Sequence, residues 1–206
     1  MKKLIIIGAG GHAQSVIDSV NKKEYRIVGL IDEFTKEKSI FGIKVIGKSL
    51  NDIDNVRKYC YFVAIGNNLD RKRWFNELIK NKLEVINIID KTAIISDSAK
   101  IGRGCFFGKM SIVNAGATIG DNVVINTKSL VEHGNKIESD VSLATNVALN
   151  GEVHVKEGAF IGSSSVVICQ KTIGKNAIIG AGAVVINDIP DDATAVGVPA
   201  KVIKNN

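Results

Sequence analysis

The chain has 206 residues, a formal net charge of +6 and 45% hydrophobic residues, enough for one large or two small well-cored domains and too apolar for a disordered chain. Its 27 Lys and Arg residues are dispersed, with Arg71-Lys72-Arg73 as a short run, a pattern that excludes a nucleic-acid role and suits anionic small molecules better. No stretch approaches the ~20 apolar residues of a membrane span, and Cys60, Cys105 and Cys169, odd in number and irregularly spaced, read as free thiols of a reducing, cytoplasmic compartment.

The N-terminal MKKLIIIGAGGH has the lysines and apolar run of a signal peptide, but the run is short and glycines end it, so it reads as a buried first strand. A glycine turn and a helical pattern follow through HAQSVIDSV. YRIVGLIDE is a second strand ending in acids, GIKVIG and CYFVAIGNN are further strands, LDRKRWFNELIKN is an amphipathic helix, and EVINIID is a last strand. Alternating strands and helices predict a small parallel, Rossmann-like α/β sheet over residues 1–90, with a second domain over 91–206. Gly8, Gly10 and Ala13 have the spacing G-x-G-x-x-A, which lets the amides of a helix start approach a phosphate, and Asp32 lies where a ribose hydroxyl is held. This signal alone is weak: an empty tight turn is the bland alternative. A nicotinamide dehydrogenase is excluded because the α/β part leaves no room for a second substrate domain.

From Ile95 to Val185 every sixth residue is apolar and the frame never slips. The next residue is often Gly or Asn, and the residue two before is often small, as at Ala99, Cys105, Ser111, Ala117 and Ser129. A period of six fits neither a helix nor a hairpin. It fits a short strand and a tight corner, with the aliphatic in a narrow core and Gly or Asn supplying unusual backbone angles. Stacked coils of this kind make a parallel β-helix. The segment resembles the hexapeptide-repeat proteins, and that resemblance implies left-handed triangular coils, about five of them.

Both halves together carry a sharper resemblance. IIIGAGGHA, IDE, AIGNNLDRKRW, then VEHG within the hexads, then IGAGAVVINDIPDDATAVGVPAKVI, is similar over essentially the whole chain to the sialic-acid O-acetyltransferase and bacterial nucleotide-sugar acetyltransferase family, which makes surface-glycan precursors. The C-terminal signature is shared by hexapeptide acyltransferases in general; GAGGH joined to AIGNN is specific to this subgroup. The resemblance implies acetyl-CoA as co-substrate, no metal, a homotrimer, and as acceptor a nucleotide-linked amino sugar such as a UDP-4-amino sugar. The alternatives are a sialic-acid O-acetyltransferase and a non-catalytic nucleotide-sugar-binding protein. It places the acceptor at Gly10, Gly11, His12, Asp32, Glu33, Ile65, Gly66 and Asn67. It places acetyl-CoA along the prism between subunits, beside Ser142, Gly162, Ala181 and Gly182, with Lys201 for a CoA phosphate.

Acetyl transfer needs a proton acceptor for the attacking amine or hydroxyl, and an imidazole is suited to that near neutral pH. The family's Glu-His pair falls on Glu132-His133, which makes His133 the expected general base; Asn126 matches the family's INT stretch before that pair and is expected to touch donor or acceptor. Two departures stand out: the family's acid after the histidine is Gly134 here, leaving Glu132 or Asp140 to orient the ring, and its second histidine is Ser142. His154 reads as a plain surface residue. A zinc carbonic anhydrase of the same fold needs three histidines in the prism, and this one has His133 and His154.

Overall fold

A computed structural model describes residues 1–205. The chain divides into two compact units, Met1–Ile89 and Asp90–Asn206. The first contains strands β1 (Lys2–Ile7), β2 (Tyr25–Ile31), β3 (Ser39–Ile40), β4 (Ile43–Gly47), β5 (Cys60–Val63) and β6 (Glu84–Val85), with helices α1 (Gly11–Ser19) and α2 (Asn68–Lys80). Strand order is β3-β4-β2-β1-β5-β6. All neighbours are parallel except the β3–β4 pair. The run LIII of β1 is buried throughout, as expected of a central strand covered on both faces. From β1 the chain crosses through α1 to β2 on one side and later returns to β5 on the other. This reversal opens a crevice at the carboxyl ends of β1, β2 and β5. EVINIID is not one strand: it splits into Glu84–Val85, which closes the sheet, and Ile88–Ile89.

The second unit is a triangular parallel β-helix of two-residue strands. Each strand pairs with the one eighteen residues away: Ile112–Val113 with Leu130–Val131, and Leu130–Val131 with Ala148–Leu149. We number the faces as the chain visits them. Face 1 runs through Phe106–Phe107, Val124–Ile125, Ser142–Leu143, Phe160–Ile161 and Ile178–Ile179; face 2 through Ile94–Ile95 to Val184–Val185; face 3 through Lys100–Ile101 to Thr172–Ile173. The six-residue frame is the core. Phe107, Val113, Ile119, Ile125, Val131 and every sixth residue on to Val185 are at most 2% exposed. The last coil is two residues shorter: Ile189 bridges Ile173, and Ala195 pairs with Ile179. The hairpin Ala193–Val196 with Lys201–Asn205 ends the stack.

The corners correct one expectation. From Ile101 to Ile179, left-handed backbone angles fall three residues after each core residue of the frame, not one. Gly104, Gly116, Asn122, Gly134, Asp140 and Asn146 have them, but so do Met110, Lys128, Glu152 and Gln170. The glycine that directly follows the aliphatic has a different purpose. A Cβ on Gly102 would lie 2.6 Å from Gly120 O, one on Gly120 2.6 Å from Ser139 N, and one on Gly162 2.6 Å from Ala181 N. Those positions are glycine because the next coil's backbone is too close for any side chain.

Candidate active site

The α/β unit holds a cleft of about 310 Å³ at the strand ends, lined by the Gly8–His12 turn, Asp32, Glu33, Phe34, Ile65, Gly66, Asp70 and Trp74 among others. Gly8 is forced by its own fold: its φ is +109° and a Cβ would meet Ala64 O at 2.7 Å. Gly10 and Gly11 are not. A Cβ on either would meet nothing within 4 Å. Their lack of side chains instead leaves the amides at the start of α1 open to the cleft, where the helix dipole favours an anion.

His12 is half-buried, with its Nε2 shielded from solvent. Burial, reinforced by the charge of Arg71, lowers its pKa to about 4, so the ring is neutral at physiological pH. Arg71 itself is 1% exposed and donates from Nη1 to Asn68 Oδ1 at 3.0 Å. Asp32 Oδ1 accepts from the amides of Phe34 and Thr35 at 3.0 and 2.8 Å, fixing the loop that carries Phe34. Glu33 is gripped by both Arg73 nitrogens, which holds its carboxyl below the usual range. Asn67 caps α2, its Oδ1 accepting from the amides of Leu69 and Asp70 at 2.9 and 3.1 Å, and is not part of the cleft wall. Sequence reasoning missed Phe34, Asp70 and Trp74. Phe34 is 83% exposed, and only its position immediately after Asp32-Glu33 signals it.

In the β-helix, His133 stands exposed on the corner between faces 2 and 3. Its backbone is held on both sides: His133 O accepts from Glu152 N at 2.9 Å, and Gly134 N donates to Ala115 O at 3.0 Å. The ring lies across Gly151 of the next coil. A Cβ there would be 2.6 Å from His133 Cε1 and 2.7 Å from Nε2. Glu132 Oε2 accepts from the backbone amide of His133 at 3.2 Å. Asp140 is on the other corner of face 3, where its Oδ1 accepts from Asn122 Nδ2 at 2.7 Å, and it is not placed to orient His133.

Asn126, Gly162, Ala181 and Gly182 all fall on a further corner, between faces 1 and 2. Asn126 Oδ1 accepts from Thr127 N at 2.8 Å. Ser142 is buried in the face 1 strand, and Lys201 is exposed at the start of the last strand. Within one chain, therefore, face 2 separates His133 from these residues. His154 is not a plain surface residue: half-buried, its Nε2 lies 2.7 Å from Glu138 Oε1. Among the described residues no cluster of three or more His, Cys, Asp or Glu is placed to hold a metal, and no helix is long and apolar enough to cross a membrane.

Residues 3–78 match the PglD N-terminal domain, and residues 99–127 and 153–186 match the hexapeptide repeat of succinyl-transferase. Among solved structures, that of PerB from Caulobacter crescentus in complex with CoA and GDP-perosamine is 33% identical, with a TM-score of 0.90 over 98% of this chain and 97% of that one. The acetyltransferase domain of PglB from Neisseria gonorrhoeae FA1090 is 31% identical, with a TM-score of 0.94 over 98% of this chain and 100% of that one. Among curated proteins, the dTDP-3-amino-3,6-dideoxy-alpha-D-galactopyranose 3-N-acetyltransferase of Aneurinibacillus thermoaerophilus is 50% identical over 52 residues, a match that spans 27% of that enzyme's length. The β-helix is of the left-handed acetyltransferase type. Likeness over both units, at this identity and coverage, means that the chain belongs to the nucleotide-sugar N-acetyltransferase family, with a PglD-type α/β domain followed by hexapeptide coils.

Proposed function

We propose that the protein transfers the acetyl group of acetyl-CoA to the amine of a nucleotide-linked amino sugar, in the cytoplasm and as a homotrimer. The α/β cleft takes the nucleotide, its diphosphate meeting the amides at Gly10 and Gly11. His133 is the base. As the amine nitrogen attacks the thioester carbonyl, a C–N bond forms, the amine proton passes to the imidazole, and the C–S bond breaks. The CoA sulfur leaves as thiolate and is protonated in turn. Residues on the corner between faces 1 and 2, Gly162, Ala181 and Gly182 among them, are smooth enough for the pantetheine chain to lie against, and Lys201 pairs with a CoA phosphate.

The observation that carries this reading is the seat of His133. The repeat needs no histidine at that column, yet the neighbouring coil has a glycine where a Cβ would collide with the ring. The trimer rests on a second observation. The outward residues of face 2 are Ile94, Ile112, Leu130, Ala148, Val166 and Val184, and the exposed outward residues of face 1 are Phe160 and Ile178, whereas face 3 presents Lys100, Thr118, Lys136, His154 and Thr172. An apolar face 2, with exposed Phe160 and Ile178 on face 1 and a polar face 3, suits a prism packed against neighbours of its own kind.

The test is CoA thiol release with UDP-, GDP- and dTDP-linked amino sugars, and with sialic acid, as acceptors. Turnover is expected with an amino sugar nucleotide and should fall roughly 10²–10⁴-fold in His133→Ala, whose surface position leaves folding intact. Turnover with sialic acid alone refutes the acceptor, and unchanged turnover in His133→Ala refutes the base.

A further inference from the structure

An imidazole that takes up a proton in the transition state works best beside a group that stabilises the resulting cation. The two acids expected near His133 do not supply it: Glu132 accepts from the His133 backbone amide, and Asp140 is on another corner bound to Asn122. The coil period brings a third acid instead. Glu152 lies one coil beyond Gly134, and its amide donates to the carbonyl of His133 at 2.9 Å. Its side chain leans back over the coil that carries the base, so that a Cβ on Gly134 would lie 3.2 Å from Glu152 Cγ. Gly134 and Gly151 thus leave adjoining spaces on one corner, the first next to the Glu152 stem and the second filled by the His133 ring. From the coil above, Gln170 Nε2 donates to Glu152 Oε2 at 2.8 Å and holds the carboxylate in place. Other ionisable residues around this corner and the strand that follows it are Glu132, Lys136, Lys171 and His154, the last paired with Glu138.

We propose that Glu152 is the positioning carboxylate of His133, anchored by Gln170, and that it stabilises the imidazolium formed when the ring accepts the amine proton. The inference rests on His133 being the base. It also explains Gly134: an acid directly after the histidine and a side chain folded down from position 152 compete for one space, and this chain has the second. The arrangement is transferable, because position 134 has φ +67° and Glu152 itself sits at φ +60°, so either position accepts a glutamate in the same backbone conformation.

The experiment is steady-state kinetics on the 206-residue chain with acetyl-CoA and the best amino-sugar nucleotide. Glu152→Gln should lower kcat about tenfold with both KM values within about twofold. The loss should vanish in a His133→Ala background, where there is no imidazolium to stabilise. The relocated pair Gly134→Glu with Glu152→Gly should recover most of the lost kcat. Wild-type kcat in Glu152→Gln, or an equal loss whether or not His133 is present, overturns the assignment of Glu152. Neither result touches the base itself, which is refuted separately by wild-type turnover in His133→Ala.

Discussion

Replacing Gly151 with alanine should uncouple activity from stability. The new Cβ would lie 2.6 Å from His133 Cε1 and 2.7 Å from Nε2, where ordinary contact begins at 3.4 Å, so the ring must move by roughly 0.8–1 Å. The colliding atoms are the tip of an exposed side chain, which rotates away at little cost. The φ of Gly151 is not in the left-handed region, so alanine there also gains about 0.4–1 kcal/mol by restricting the unfolded chain. Net stability should stay within about 1 kcal/mol, a shift of a few degrees in Tm. Turnover should fall about 10–100-fold, because a misplacement of about 1 Å at a reacting group costs up to about two orders of magnitude. Gly162→Ala is the comparison. Its Cβ would also come within 2.6 Å of a neighbour, but that neighbour is Ala181 N, with Ile179 O at 2.7 Å and Gly180 C at 2.8 Å. Backbone inside a paired coil cannot rotate away, so this variant should lose roughly 1–3 kcal/mol. Calorimetry and thiol-release assays on the two variants check both halves. Wild-type kcat in Gly151→Ala, with Tm unchanged, refutes the argument that the ring's seat over that glycine sets the catalytic geometry.

His12 should make stability depend on pH in a defined window. Its folded pKa of about 4 lies below the ordinary 6.5, so the unfolded chain binds a proton that the folded one refuses; stability is flat above about pH 6.5 and falls toward pH 4, by at most about 3 kcal/mol. His12→Gln should remove that slope in denaturant titrations from pH 4 to 7, and parallel curves for the two proteins refute it. Phe34→Ala should raise the KM for the nucleotide sugar roughly 5–150-fold through loss of about 1–3 kcal/mol of base stacking, with kcat and the KM for acetyl-CoA little changed; an unaltered acceptor KM refutes the stacking. Asn67→Ala should lower stability by about 1 kcal/mol through loss of the α2 cap while acceptor affinity holds, as measured by thermal unfolding and isothermal titration. Mixed trimers of His133→Ala and Ala181→Glu chains should recover about one quarter of the sites if base and donor corner come from different subunits, and none if both come from one chain.

The β-helix was legible because its core is one-dimensional. A single inward residue per six, repeated without a slip, determines strand, face and coil together, and the structure buries that whole series from Phe107 to Val185. The corners were less legible because two unlike reasons for glycine are interleaved two residues apart. One is close approach of the next coil, as at Gly120; the other is a left-handed φ, as at Gly116. The second tolerates Lys128 and Gln170 at about 1–2 kcal/mol each, so it leaves a weak trace in composition. In the α/β unit the glycine turn and Asp32 were visible as a motif, but Phe34 and Trp74 were not: which side chains rim a crevice depends on where strands end and helices start, and no periodicity records that. Glu152 was hidden differently. It is nineteen positions from His133, and it becomes a neighbour only once the eighteen-residue coil is counted around the prism.

The same geometry bears on why the proposed activity would use an oligomer. A triangular coil with two-residue strands turns its corners outward, so the His133 corner does not by itself enclose an acceptor, a thioester and a base. In this chain the proposed base, His133, and its proposed carboxylate, Glu152, occupy the corner between faces 2 and 3, and the smooth Gly162, Ala181 and Gly182 positions occupy the corner between faces 1 and 2. Face 2, with Leu130, Ala148 and Val166 outward, separates the two corners. A second prism laid on that apolar face forms a groove along each of its edges. It would exclude water from the thioester, where a developing charge is stabilised best, and it would give His133 the proposed donor-binding corner that its own chain cannot present to it. The apolar column that holds subunits together would then also be what completes each active site.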